Sequence, residues 1–182
     1  MRTKQGLDAG EWAVLALLAE HQTHGFAIAR ELSPEGEVGA VWTFPRPLVY
    51  RALDTLQRLE LAEPVRVVTS NQGPRRTILR ATPAGARRVA RWLEEPVEHV
   101  RDVRSLLMLK LAFRERRGLP LGPLLEAQRS VVEPVVASLE EKAAAGEGFE
   151  RALALWRLEA AAAVLRFLDA LLAAEPRPAR SR

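Results

Sequence analysis

A chain of 182 residues with 48% apolar side chains can bury a sizeable core, and 27 Lys and Arg against 23 Asp and Glu leave a net charge of +4. That charge permits a nucleic-acid partner without requiring one. The absence of cysteine excludes disulfides, thiolate catalysis and Cys-based zinc sites. No apolar run reaches the ~18 residues of a membrane span. His21, His24 and His99 come without a His-Glu-x-x-His pattern, so no metal or other cofactor is expected. The first ten residues are polar and lack an apolar signal core. The expectation is a soluble cytoplasmic protein with no membrane partner.

Asp8 followed by Glu11 has the spacing of a capping box, with Leu7 ahead of it as a hydrophobic staple. A first helix is predicted from Asp8 to about Glu20, with Trp12, Val14, Leu15, Leu17 and Leu18 as a broad apolar stripe. A short second helix is expected over about His24–Leu32, capped by Thr23 and stopped at Ser33-Pro34. Residues 34–45 contain two glycines and two prolines and read as a loop, anchored by Trp42 and Phe44. The third helix begins at Arg46-Pro47, with proline at its first position, and runs to about Glu60. Val49, Leu53, Leu56 and Leu59 share one face; Arg46, Tyr50, Arg51, Asp54 and Arg58 fall away from it. Pro64–Thr69 and Arg75–Ala81 read as strands around a Ser70–Pro74 turn, forming a hairpin with a polar tip. Thr82-Pro83 then starts a fourth helix, to about Glu95, with Val89, Trp92 and Leu93 inward and Arg87, Arg88 and Arg91 outward.

Three helices, a hairpin and a further helix within about 90 residues form a winged helix-turn-helix pattern. Charge points the same way. From Pro64 to Leu93 there is no acid, yet Arg66, Arg75, Arg76, Arg80, Arg87, Arg88 and Arg91 lie there. The planar guanidinium fork suits phosphate oxygens. The bland reading is a solvated charged face. The competing functional reading is an interaction adaptor that binds an acidic protein or RNA. No nucleophile–base pair, phosphate-binding glycine loop or acid pair at telling spacing is present, so an enzyme is not expected.

Glu11–Leu18 (EWAVLALL), His24-Gly25-Phe26, Leu48–Leu53 (LVYRAL), Arg75-Arg76 and Thr82-Pro83-Ala84-Gly85 together resemble the PadR family of bacterial transcriptional regulators, in its longer, about 180-residue subfamily. The resemblance covers the first 95 residues. It departs from the family where Arg46-Pro47-Leu48-Val49-Tyr50-Arg51 replaces a Gly-Thr-Leu-Tyr-Pro-like start, and where Thr77 and Ile78 replace wing tyrosines. It implies a repressor that binds a palindromic operator on double-stranded DNA as a homodimer. It also implies release by a small aromatic or apolar effector, with Trp42, Trp92, Trp156 and Phe113 as candidate walls. A recognition helix reads the major groove with its N-terminal half, which nominates Thr43, Arg46, Pro47, Tyr50 and Arg51. Arg51 reaches either a base or a phosphate, and Tyr50 is either exposed or half-buried. The wing tip, Asn71, Gln72 and Gly73 with Arg75 and Arg76, is expected on adjacent phosphates or the minor groove. His24 either caps the second helix or donates to phosphate, and Gly25 permits a close approach there.

The rest of the chain is rich in Ala, Leu, Glu and Arg. Helices are expected over about Val97–Arg117, Leu121–Ala145 and Gly148–Ala174, with Pro134 kinking the second. On the last, Phe149, Leu153, Trp156, Ala160, Ala163 and Phe167 form one stripe; Leu158, Ala161, Leu165, Leu168 and Leu172 form an opposed one. Two opposed stripes suggest that one packs within the subunit and the other against a second copy. The alternative is a central helix of a monomeric bundle. The expected fold is mainly α: a winged helix-turn-helix domain at 1–95, an antiparallel helical dimerisation domain at 96–174 with the first stripe as its contact, and a disordered tail at 175–182.

Overall fold

The computed structural model describes residues 6–70 and 73–174. The expected disordered tail at 175–182 and the wing-tip residues Asn71 and Gln72 lie outside them. The chain forms two compact units. One reaches to Leu93 and takes in Met108–Arg117; the other holds Glu94–Leu107 and the chain from Gly118 onward.

In the first unit, helix α1 spans Ala9–Glu20 behind the expected capping box. Glu11 N–H donates to Asp8 Oδ1 at 2.8 Å, and Asp8 N–H donates to Glu11 Oε2 at 2.9 Å. Residues Gly10–Leu18 are all buried. The helix is therefore enclosed on every side, beyond the one stripe expected, and serves as the post of the unit. Trp12 stacks on Trp92 at 4.9 Å between centroids, and Phe113 meets Trp92 edge-on at 6.3 Å. Trp92 and Phe113 are thus core residues, at 2% and 0% exposure, rather than walls of an open site.

A two-residue strand β1, Thr23–His24, precedes helix α2, Gly25–Glu31. The cap of α2 is His24, whose Nδ1 accepts from Ala27 N–H at 3.0 Å, and not the expected Thr23. Thr23 is instead held in the sheet opposite Leu79. Phe44 anchors the following loop by covering Gly10, where a β-carbon would stand 2.1 Å from the ring. Helix α3 spans Arg46–Arg58 and buries Val49, Ala52, Leu53 and Leu56. Strands β2, Ala62–Ser70, and β3, Gly73–Ala81, pair antiparallel, and the sheet order is β1-β3-β2. Helix α4, Pro83–Glu94, buries Val89, Trp92 and Leu93 as expected.

The single helix expected over Val97–Arg117 is broken. Gln128 takes both backbone groups of Val97: Val97 N–H donates to Oε1 at 2.7 Å, and Nε2 donates to Val97 O at 3.0 Å. A 3-10 turn, Val100–Asp102, and a π turn, Val103–Leu107, lead into helix α5, Met108–Arg116. A division of the chain at residue 95 would cut α5 away from the unit in which it packs. Lys110 Nζ donates to Trp92 O at 2.7 Å and Arg114 Nη1 to Leu93 O at 3.0 Å. Arg116 bonds Glu20 at 2.9 Å and Glu31 at 2.8 Å, and also bonds Glu37. The hydrogen bonds it donates to Glu20, and then the charges of all three carboxylates, hold its guanidinium pKa above the ordinary value against the opposing effect of burial.

The second unit is built on helix α6, Gly122–Ala145, and helix α7, Gly148–Ala174. Arg129 Nε donates to Asp169 Oδ1 at 2.9 Å, joining an early residue of α6 to a late one of α7, so the two run antiparallel. Helix α6 continues through Pro134. Ala154, Ala161 and Leu168 of α7 are buried. Leu158, Leu165 and Leu172 are half-buried beside them. The other stripe is left open: Phe149 is 79% exposed and Trp156 73%. Ala160 and Ala163 are exposed, and Leu153 and Phe167 are half-buried. No helix among the described residues is long and apolar enough to cross a membrane.

Candidate nucleic-acid interface

Helix α3 begins at Arg46 with Pro47 in its first turn and, among the described contacts, no side-chain cap on its N-terminal amides. A spacing of four residues keeps Arg46, Tyr50 and Asp54 on one side of it, with Gln57 one turn further. Buried Val49, Ala52 and Leu56 hold another side of it to the core. The start of α2 and strand β3 stand beside this polar side. Between them lies a cleft of roughly 650 Å3, lined by His24, Gly25, Phe26, Arg46, Tyr50, Leu53, Asp54, Gln57, Arg75, Arg76, Thr77 and Leu79.

Gly25 sets the approach of α2 to α3. A β-carbon there would stand 2.8 Å from Tyr50 Cε1 and 3.0 Å from Leu53 Cδ1. Phe26, 46% exposed, is the platform of the cleft mouth. Arg46 lies 5.1 Å and Arg76 5.8 Å from its ring centroid, and Arg46 also lies 5.9 Å from that of Tyr50. Each cation–π contact at an exposed ring contributes about 0.5–1 kcal/mol. Three arginines against one aspartate leave the cleft basic. It therefore suits an anionic, extended partner with flat groups to stack on.

The structure brings Arg46, Tyr50, Arg75 and Arg76 of the nominated residues into this cleft. Tyr50 is exposed, at 42%. Pro47 and Arg51 are exposed on α3 outside the cleft lining. Thr43 is exposed on the loop ahead of α3, its hydroxyl donating to Gly39 O at 3.0 Å. Gly73 opens β3 opposite Ser70. The arginine run is less uniform than its sequence suggests. Arg80 Nε pairs with Glu63 Oε1 at 2.8 Å, a carboxylate one residue before the acid-free stretch. Arg66 bonds Gln22, and Arg88 covers Trp12. Arg75 and Arg76 are the members of the run that line the cleft. Phe26, Gln57 and Thr77 were not among the nominated residues. Phe26 enters the sequence reading only through the His24-Gly25-Phe26 motif, and its exposed place after the His24 cap is seen once α2 is placed.

Residues 14–91, the span that holds α2, α3 and the hairpin, match the family profile of the transcriptional regulator PadR-like family. This stretch of the chain is similar to that family. The cleft lies within the PadR-like span, and its nominated residues Arg46, Tyr50, Arg75 and Arg76 all fall inside the match. Among solved structures, the chain is similar to Bacillus subtilis PadR in complex with operator DNA, at 20% identity and a TM-score of 0.46, over 89% of this chain and 97% of that one. A PadR-like transcriptional regulator of Bacillus cereus aligns at 16% identity and a TM-score of 0.41, over 94% and 98%. A Streptococcus mutans protein aligns at 16% identity and a TM-score of 0.43, over 90% and 98%. No curated protein matches the chain.

Proposed function

We propose that the chain is a sequence-specific DNA-binding transcriptional regulator that grips a palindromic operator as a homodimer. The observation that carries this is the basic cleft of Arg46, Arg75 and Arg76 between α3 and β3, set inside the PadR-like span. In this reading the exposed N-terminal half of α3, with Arg46, Tyr50 and Arg51, enters the major groove, with Thr43 and Pro47 at its edge. The wing, with Asn71, Gln72 and Gly73 at its tip, follows the neighbouring backbone. The open stripe of α7, centred on Phe149 and Trp156, supports pairing with a second copy, because a two-fold protein matches two half-sites. A repressor role and release by a small aromatic or apolar effector rest on the PadR likeness.

Binding of a labelled mixed-sequence duplex across a salt series tests the reading. Phosphate neutralisation makes the logarithm of affinity fall steeply and linearly with the logarithm of salt, by about 0.9 per phosphate contacted. Absence of binding to any duplex at low salt would falsify it.

A further inference from the structure

The cap of α2 leaves one side chain of the cleft with an unusual task. His24 Nδ1 accepts from Ala27 N–H at 3.0 Å, so Nδ1 carries no proton. The ring is then the tautomer with its proton on Nε2, a donor. Nε2 faces Arg76, whose Nη1 is 3.5 Å away and is itself a donor without acceptor capacity. Two donors cannot bond each other. Arg46 adds a second guanidinium against the same Phe26 ring that Arg76 covers. The fold thus gathers two like charges and a neutral N–H donor around one exposed aromatic ring. Asp54 is the acid that lines the same cleft. Gathering like charges this way is unfavourable until an anion sits among them.

We infer that His24 and Arg76 form a shared clamp for one backbone phosphate of duplex DNA, with Arg46 and Phe26 holding the guanidinium groups in place. The inference rests on the DNA-binding reading above. It gives His24 two simultaneous roles: Nδ1 caps α2, and Nε2–H binds the phosphate. Position supports the pairing. His24 is opposite Ile78 in the sheet, and Arg76 lies two residues along β3 on the same face, so the β1–β3 register fixes their separation.

The two donors differ in charge, which separates their effects. His24→Ser keeps a side-chain oxygen that can cap α2 but removes the Nε2 donor. Arg76→Gln removes a positive charge from an exposed side chain. Each full-length variant is titrated with a labelled mixed-sequence duplex between about 50 and 200 mM salt, and its thermal unfolding is recorded alongside. Loss of the neutral donor in His24→Ser lowers affinity about tenfold with the salt slope unchanged. Arg76→Gln lowers affinity and flattens the slope by about 0.9 for each protomer bound. The double variant loses less than the two single losses combined, because both donors serve one phosphate. If the parent binds duplex while both variants bind as it does, or if their losses add fully, the clamp is overturned and the DNA-binding reading survives. If the parent binds no duplex, that reading fails with it. Should His24→Ser not fold, the slope of Arg76→Gln and its loss on a His24→Asn background decide the same point.

Discussion

Gly25 is where one missing methyl group sets the width of the cleft. In Gly25→Ala the new β-carbon meets Tyr50 Cε1 at 2.8 Å, and the exposed ring is the part free to move. The expected outcome is a small loss of stability, about 1 kcal/mol or less, with a larger loss of duplex affinity, because Tyr50 is driven into the space beside Arg46. Equal affinity in a fluorescence anisotropy titration would show that the cleft is not used. Arg116 makes the opposite case, a charge used for architecture. Its alanine variant removes one partner from three carboxylates at 21% side-chain exposure. A loss of about 1–3 kcal/mol is expected by urea unfolding, toward the lower end because water still reaches the group. The folded pKa of Arg116 lies above the ordinary arginine value. Its stabilising contribution is therefore complete below that value and lost only as pH rises through the higher folded pKa. The cost of Arg116→Ala should not change between about pH 7 and 9 through titration of the arginine. Legibility at this scale was uneven. The Asp8–Glu11 capping box follows from spacing alone, whereas for α2 the sequence offers both Thr23 and His24 as caps, and only the β1–β3 pairing takes Thr23 out of contention.

Among the elements, α3 and the hairpin were readable because apolar periodicity and turn residues agree over short stretches. The region after Pro96 was not. Its composition favours one helix, but Gln128, 31 residues away, captures the backbone of Val97. No local pattern encodes that bond. For the same reason α5 could not be assigned to the first unit from sequence, since its ties are to Trp92, Leu93, Glu20, Glu31 and Glu37. The two stripes of α7 were legible, and the structure separates them by burial: Ala161 and Leu168 inward, Phe149 and Trp156 outward. Trp156→Glu should leave the α6–α7 pair folded, since the side chain is 73% exposed and fills no core. In the proposed dimer a charge at this contact would be costly, so sedimentation is expected to show a dimer for the parent and a monomer for the variant. A variant that sediments as the parent does would remove this stripe as the dimer contact.

Across the whole molecule, a net charge of +4 describes the recognition surface poorly. What matters is local. Arg80 is neutralised by Glu63, whereas Arg46, Arg75 and Arg76 converge on one cleft from a helix and a strand far apart in sequence. Arg46 lies outside the acid-free run, so the run pointed to the wing but not to the full cleft. The candidate site was thus half visible: the helix and wing arginines were nominated from sequence, as was His24 for a cap or a phosphate, whereas Phe26 came into view only once the elements were placed. Two such surfaces in a two-fold dimer would meet half-sites one helical turn, about 10–10.5 bp, or a multiple of it apart. Selection of bound fragments from genomic DNA tests this most directly. Enrichment of an inverted repeat whose half-site centres keep that spacing is the expected result. Recovery of no preferred sequence, from a protein that also retains no duplex at low salt, would contradict it.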